Sequence, residues 1–388
     1  MSAFNRPRLL APGPVEVSPD TLRSLSQTQI HHRTPEARKA VLEARANLSK
    51  LLGADFEVLI TTTSGTGAFE AAMVSLLEDG AEVVCAEAGK FGKRWGQMAE
   101  KLGYSVTYVS TEWGKALTPQ AVAAAVQGKK ALFITHSETS TGVLHDLEAI
   151  SKAVRAINPE ILIYVDAVTS FAVAELRPQA WDLDVIVSGS QKGVAAPPGL
   201  GFAMLSPRAL EVLNSGKANS RRYYLDLAKE LKSQQNGETA QTPAINLIQA
   251  LTVSTSRLVS IPLEDLWLEK EKMNNALVAA GLALGCSNFA ERVSPATAAL
   301  VPPVPLSGKQ VAEAMKARGA RAAAGQDAFK DSMFRISLMG YFDRYDALAV
   351  AGILEDVFAG LGVQFERGVA VKAAWEALKD QTPELVGQ

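Results

Sequence analysis

Cysteine is nearly missing from this sequence: there are two in 388 residues, Cys85 and Cys286. Two thiols cannot build a disulfide framework, and Cys85 inside "AEVVCA" reads as a small buried hydrophobe. An excess of either charge is missing too, since 39 Lys and Arg face 41 Asp and Glu. That balance gives no reason to expect nucleic acid or an anionic membrane as a partner. No apolar run reaches the roughly 18 residues of a membrane span. The opening "MSAFNRPRLLAPGP" lacks the apolar centre of a secretory leader. Repeats and low-complexity tracts are absent. Histidine is scarce, and His136 has no companions at metal-ligand spacing, so no metal site is expected. What is left is an ordinary folded chain, 47% hydrophobic and 21% charged, expected to be a cytoplasmic enzyme or binding protein.

What is present is alternation. From Pro35 to Leu205, short β-branched runs alternate with helical periodicity. "FEVLITTTSGTGAFEAAMVSLL" reads as strand, glycine-rich turn and helix, the helix opening near Ala68. "AEVVCAE", "YSVTYVS", "KKALFIT", "EILIYVD", "LDVIVSG" and "GLGFAML" are further strands, and "PEARKAVLEARANLSKLLG" is a helix stopped at Gly53. The pattern predicts an α/β fold, with a mostly parallel sheet covered by helices on both faces. After Leu263 the pattern changes to a long amphipathic helix, then short strands and helices, a smaller α+β layer. The expected division is an extended N-terminal arm, 1–18, a large domain, 19–260, and a small C-terminal domain, 261–388.

Several polar groups fall where strands end, and strand exits in open α/β sheets are where ligands bind. Ser64, Gly65 and Thr66 follow one strand and open a helix, which suits a phosphate or simply a tight turn. No GK[ST] follows, so this is not a nucleoside-triphosphate loop. Asp166 ends a buried run, where an acid needs a cation or donors; a helix cap or an ion pair would serve as well as catalysis. Lys192 is delivered after "SGSQ", as a reacting amine or a solvated loop lysine. "THSETSTGV" offers a polar binding loop, or a set of caps and turns. Arg335 lies between apolar neighbours in "MFRISL", where an inward guanidinium asks for a carboxylate, from a substrate or from a structural salt bridge. Together these groups ask for one ligand with a phosphate, a ring nitrogen that wants an acid and an aldehyde that wants a lysine. Pyridoxal phosphate has all three.

The chain resembles a class V (subgroup IV) aminotransferase, closest to the alanine–glyoxylate and serine–glyoxylate or serine–pyruvate enzymes. The motifs "SGTGAFEAA", "THSETSTGVL", "VDAVTS", "SGSQKGVAAPPGL" and "QTPAI" carry the resemblance over most of the chain, in the family's order. It implies the fold type I of pyridoxal-phosphate transferases. It implies Lys192 as the Schiff-base lysine and proton carrier and Asp166 as partner of the pyridine nitrogen. Ser64, Gly65 and Thr66 would hold the phosphate beside Gln191, and Thr139 would lie near the ring substituents. Thr242 would reach the phosphate bound in a second subunit, so a homodimer with shared sites is implied. Arg335 would grip the substrate carboxylate, helped by the backbone around Gly13. Two departures stand out. Phe91 occupies the place of a ring-stacking tryptophan, which would cost an indole N–H. "NGETAQTPAI" lacks a tyrosine found in some relatives, with Thr239 in its place.

The resemblance implies a transaminase moving an amino group from a small amino acid to a small 2-oxo acid by a ping-pong route. No second arginine is aimed at a distal acid, so serine or alanine with glyoxylate or pyruvate is expected. A phosphonate or phosphoserine aminotransferase is the near alternative. A cysteine desulfurase fits less well, because Gln191 stands where that branch has a histidine. A nicotinamide oxidoreductase built on "SGTGAF" would leave Lys192 unexplained. Some relatives carry a label linking them to a soluble hydrogenase, which would imply a non-catalytic subunit with idle cofactor residues.

Overall fold

Residues 6–218 and 222–379 are described by the structure, a computed structural model. Seven strands form the main sheet: β1 (Glu57–Thr61), β2 (Glu82–Glu87), β3 (Ser105–Ser110), β4 (Ala131–Thr135), β5 (Leu162–Asp166), β6 (Val185–Gly189) and β7 (Gly201–Leu205). Each matches a run read from the sequence. Their order across the sheet is β3-β2-β4-β5-β6-β7-β1, and β7 alone runs against the others. The exits of β1, β2, β4, β5 and β6 therefore share one edge.

β4, β5, β6 and β7 are buried throughout. Alternating side chains feed two separate cores. Leu132 and Ile134 join the helices Pro35–Leu52, Leu147–Ile157 and Ile245–Leu258 on one face. Ala131 and Phe133 join Gly65–Leu76 and the inner residues of Lys90–Lys101 on the other. Continuous apolar strands covered on both faces are what a parallel sheet requires. The Pro35–Leu52 helix starts where the Thr34 side chain accepts from the Ala37 N–H and stops at Gly53, which is left-handed at φ 65°. The helix after β1 begins at Gly65, three residues earlier than expected, because Ser64 is its N-cap and accepts from the Gly67 N–H. That start brings the helix's first free N–H groups to the strand exit itself.

A second sheet is antiparallel, with Ser287–Asn288, Ala298–Val301, Phe334–Ile336 and Ala323–Ala324 in that order. It packs with Gly308–Ala317, Arg344–Gly360 and Val369–Leu378 around a third core. The long helix Leu263–Ala283 bridges the two regions: Leu266 packs in the main core and Met273, Leu277 and Ala280 in the third. The N-terminal segment is stitched to this second region. Arg8 and Leu10 N–H donate to the Gly319 and Arg321 carbonyls at 2.8 and 3.0 Å, and Ser337 N–H donates to the Leu10 carbonyl at 2.8 Å. Leu10, fully buried, anchors it. The chain then crosses the shared edge of the main sheet on its way to the helix Pro19–Leu25.

Candidate active site

A cavity of about 310 Å³ opens at that shared edge. Its wall brings together Gly13, Ser64, Gly65, Thr66, Phe91, Thr139, Asp166, Gln191 and Lys192, nine of the candidates named from the sequence. Asp166 is 4% exposed at the end of β5. One carboxylate oxygen accepts from the Val168 N–H at 2.9 Å. The other accepts from the Trp95 indole N–H at 3.0 Å and lies 3.5 Å from the Thr135 hydroxyl. Burial raises its pKa to about 6 against the pull of the Val168 N–H, the Glu138 charge adds to the rise, and Trp95 and Lys192 oppose it. Lys192 comes from the loop after β6, the next strand over. Burial lowers its amine to about 8; Asp166 works the other way, while Arg335 and Arg94 push it down further.

The N-terminal segment lies directly on this lysine. Nζ donates to the Pro12 carbonyl. Gly13 has φ 108°, and a β-carbon there would lie 2.5 Å from Nζ and 2.6 Å from Cδ and Cε. The backbone conformation favours glycine there, and any β-carbon would push the flexible end of Lys192 aside.

Glu138 is fully buried beside the cavity and holds the start of the Lys90–Lys101 helix, which has no side-chain cap of its own. It accepts from the Phe91 and Gly92 N–H groups at 3.1 and 2.9 Å, and from Ser140 N–H at 3.0 Å. Ser140 Oγ in turn accepts from Lys90 N–H at 3.0 Å. A carboxylate at a helix N-terminus is favoured by the free N–H groups and the dipole, which offsets the desolvation that raises its pKa. On this helix Phe91, Arg94 and Trp95 stand at i, i+3 and i+4 and all line the cavity. Trp95 stacks on Phe69 with centroids 4.1 Å apart, worth about 0.5–1.5 kcal/mol beyond burial. Trp95 and Arg94 were not among the sequence candidates, although the one-face spacing in "FGKRW" was an available signal, and Glu138 was read only as part of a polar loop.

Within the described residues Arg335 makes no salt bridge and donates to backbone carbonyls. Nε and Nη2 donate to the Ala324 carbonyl at 3.1 and 2.9 Å, and Nη1 to the Thr139 carbonyl at 2.8 Å. It is 5% exposed and touches the cavity wall through Thr139; burial lowers its pKa to about 10, with Glu138 acting against this. The Thr139 hydroxyl donates to Thr169 at 3.2 Å, which donates to the Ser137 carbonyl at 2.9 Å. Thr242 and Thr239 lie elsewhere, in a separate hollow with Thr61 and Thr62. Within one chain, Thr242 does not reach the Lys192 cavity. A second arginine, Arg94, also lines the wall. His136 does not; its backbone N–H donates to the Asp166 carbonyl at 3.0 Å. Among the described residues no group of three or more His, Cys, Asp or Glu could hold a metal, and no helix is long and apolar enough to cross a membrane.

The residues present fit pyridoxal phosphate. The first N–H groups of the Gly65–Leu76 helix face the cavity, where a helix start offers donors to a phosphate. Gln191 lines the same wall, and its side-chain NH2 is the group from which a phosphate could accept. An acid and an amine stand on adjacent strand exits for the ring nitrogen and the aldehyde.

Comparison with known proteins agrees. The family described as aminotransferase class-V matches residues 20–348. A protein of Anabaena cylindrica named soluble hydrogenase 42 kDa subunit is 38% identical, over 94% of this chain and 97% of its own. Serine–glyoxylate aminotransferase of Hyphomicrobium methylovorum is 29% identical over 95% of this chain and 94% of its own. Among solved structures, an aspartate aminotransferase of subgroup IV from Thermus thermophilus superposes with a TM-score of 0.86 and 42% identity, covering 91% of this chain and 99% of its own. The expected α/β fold and pyridoxal-phosphate dependence are borne out, and the chain belongs to the class-V aminotransferases.

Proposed function

We propose that this protein is a transaminase that moves the amino group of a small amino acid to a small 2-oxo acid such as glyoxylate or pyruvate, by a ping-pong route. The observation that carries the reading is Lys192 and Asp166 on neighbouring strand exits, in one cavity with a helix N-terminus. When bound, pyridoxal phosphate supplies an aldehyde that captures the amine and a ring that takes up the electron pair left on the substrate α-carbon. Ser64, Gly65 and Thr66 hold its phosphate with Gln191, and Phe91 covers its ring. Asp166, held by Val168 and Trp95, stays ionised against the ring nitrogen and keeps that nitrogen protonated. Lys192 Nζ, which burial lowers to about 8, would take the substrate α-proton as general base and give it back as general acid. Arg335 offers its remaining N–H groups to the α-carboxylate across Thr139, and the segment around Gly13 closes over the lysine and excludes water.

A cavity of about 310 Å³ that also takes the cofactor leaves room for a short substrate side chain. Serine and alanine meet that limit, as does aspartate. The proposal keeps an arm at 1–18, a large domain at 19–260 and a small one at 261–388, supported by the change of core along Leu263–Ala283. It includes a cytoplasmic homodimer in which Thr242 of each chain serves the other's phosphate; the place of Thr242 in a hollow separate from its own Lys192 cavity supports this. Both cysteines are buried with thiols pushed up to about 12, which disfavours desulfurase chemistry. The name of the Anabaena relative favours a second reading, a non-catalytic subunit of a hydrogenase-like complex. An absorbance scan decides between them. The transaminase reading expects a near-visible cofactor band that changes on adding L-serine, L-alanine or L-aspartate and recovers with glyoxylate. A protein without such a band supports the subunit.

A further inference from the structure

We infer that Arg94 binds a second carboxylate on the substrate, so that the preferred amino donor is a four-carbon dicarboxylic amino acid. The inference rests on the transaminase reading and deepens it.

Arg94 is a half-buried guanidinium in the wall of the Lys192 cavity. Among the described residues it makes no hydrogen bond or ion pair, and its Cζ lies 4.8 Å from the centroid of the Phe91 ring. A ring face orients a guanidinium and leaves its in-plane N–H donors free. Most arginines of this chain spend those donors: Arg155 and Arg208 share Asp184, and Arg318 holds Asp356. Neither acid at the cavity serves Arg94. The Asp166 oxygens go to Val168 and Trp95, and the Glu138 oxygens to Phe91, Gly92 and Ser140. The cavity wall therefore holds a planar fork that no carboxylate of the described residues occupies, and a fork of that shape matches a carboxylate in bidentate fashion.

Two anions arrive with the chemistry already proposed, and each has its own receptor. The cofactor phosphate belongs at the exit of β1 with Gly65 and Thr66. Arg94 enters from a different helix, Lys90–Lys101, and cofactor retention in an Arg94 variant tells a phosphate role from a substrate role. The substrate α-carboxylate belongs to Arg335. Arg94 and Arg335 both lower the Lys192 pKa, so both guanidinium charges act on the reacting amine. With the α-carboxylate given to Arg335, Arg94 in the wall of the Lys192 cavity is left for a carboxylate on the side chain. The limited volume selects a short one. Phe91, which carries Arg94 on its face, links ring cover and substrate selection in one turn of helix.

The test compares wild-type holoenzyme with Arg94→Gln and Arg94→Lys. Specificity is read as the ratio of kcat/KM for L-aspartate to that for L-alanine. Loss of a bidentate charge-assisted contact is expected to lower this ratio by about 100-fold in Arg94→Gln, with partial recovery in Arg94→Lys, which keeps charge without the fork. Binding independent of turnover is measured by calorimetry with succinate and propionate. Wild type is expected to bind succinate the more tightly, and Arg94→Gln to lose that difference. An unchanged aspartate-to-alanine ratio, or equal binding of the two acids by wild type, overturns the inference. So does a variant that loses both donors and its cofactor alike, because Arg94 would then serve the phosphate. A wild-type protein with no cofactor band and no conversion of any amino acid is a different failure, that of the transaminase reading, and the succinate arm still reads Arg94 in that case.

Discussion

Replacing Gly13 by alanine tests how tightly the N-terminal segment is fitted to the reacting amine. The added β-carbon would stand 2.5 Å from Lys192 Nζ and 2.6 Å from Cδ and Cε. Ordinary contact between such atoms begins near ~3.5 Å, so something must retreat by about 1 Å. The φ of 108° adds a backbone cost of about 1–3 kcal/mol for any residue with a side chain. Lys192 is the softer partner, because its end is flexible while the segment is pinned at Leu10 and Ser337. The amine gives way. A misplacement of about 1 Å at a reacting group costs about 100-fold in rate, so kcat for the preferred donor should fall by about that factor. The assay is stopped-flow loss of the cofactor band on mixing with amino acid, alongside a thermal melt to confirm folding. A folded Gly13→Ala enzyme with kcat within twofold of wild type would refute the fit of segment to lysine.

Trp95→Phe keeps the ring on Phe69 and removes the N–H from Asp166. A hydrogen bond to a charged group is worth about 1.5–3 kcal/mol, which is about one to two pKa units at 1.36 kcal/mol each. The acid limb of cofactor retention against pH should therefore move upward by at least about one unit, and an unmoved limb would dismiss the indole from that role. The buried histidines set a second pH dependence. Burial lowers His136 to about 3, with His145 adding to the fall, and lowers His145 to about 4. From pH 6.5 downward the unfolded chain takes up protons the folded one refuses, so stability falls with pH by about 1.4 kcal/mol per unit for each histidine. Asp166, raised to about 6, works oppositely in the apoprotein as pH falls from 6 toward 4, and offsets part of the slope. Denaturant melts between pH 6.5 and 4.5 should show a slope about 1.4 kcal/mol per unit shallower in His136→Asn; equal slopes would contradict the assignment.

The strands of the main sheet were legible because each is a short apolar run closed by small or polar residues, and Gly53 marked its helix end as expected. Their order was not legible. β2 and β4 are neighbours although β3 lies between them in the chain, a matter of crossovers that no local pattern encodes. At the site, Lys192, Asp166 and Ser64 were visible because each stands at a strand exit. Arg94 and Trp95 were not, because a side chain one turn into a helix shows its partner only when the helix is docked. Glu138 looked like one polar residue in a polar loop; its place at the start of another helix depends on packing across 46 residues of chain. Arg335 was rightly picked as an inward arginine, and its carbonyl partners come from strand pairing that brings Ala324 beside it.

The account stands or falls on the nitrogen at position 192. The purified protein, loaded with pyridoxal phosphate and treated with borohydride, should carry a pyridoxyl group on the peptide containing Lys192, and Lys192→Ala should carry none. A pyridoxyl group on another lysine, or none on freshly loaded wild-type protein, would contradict it.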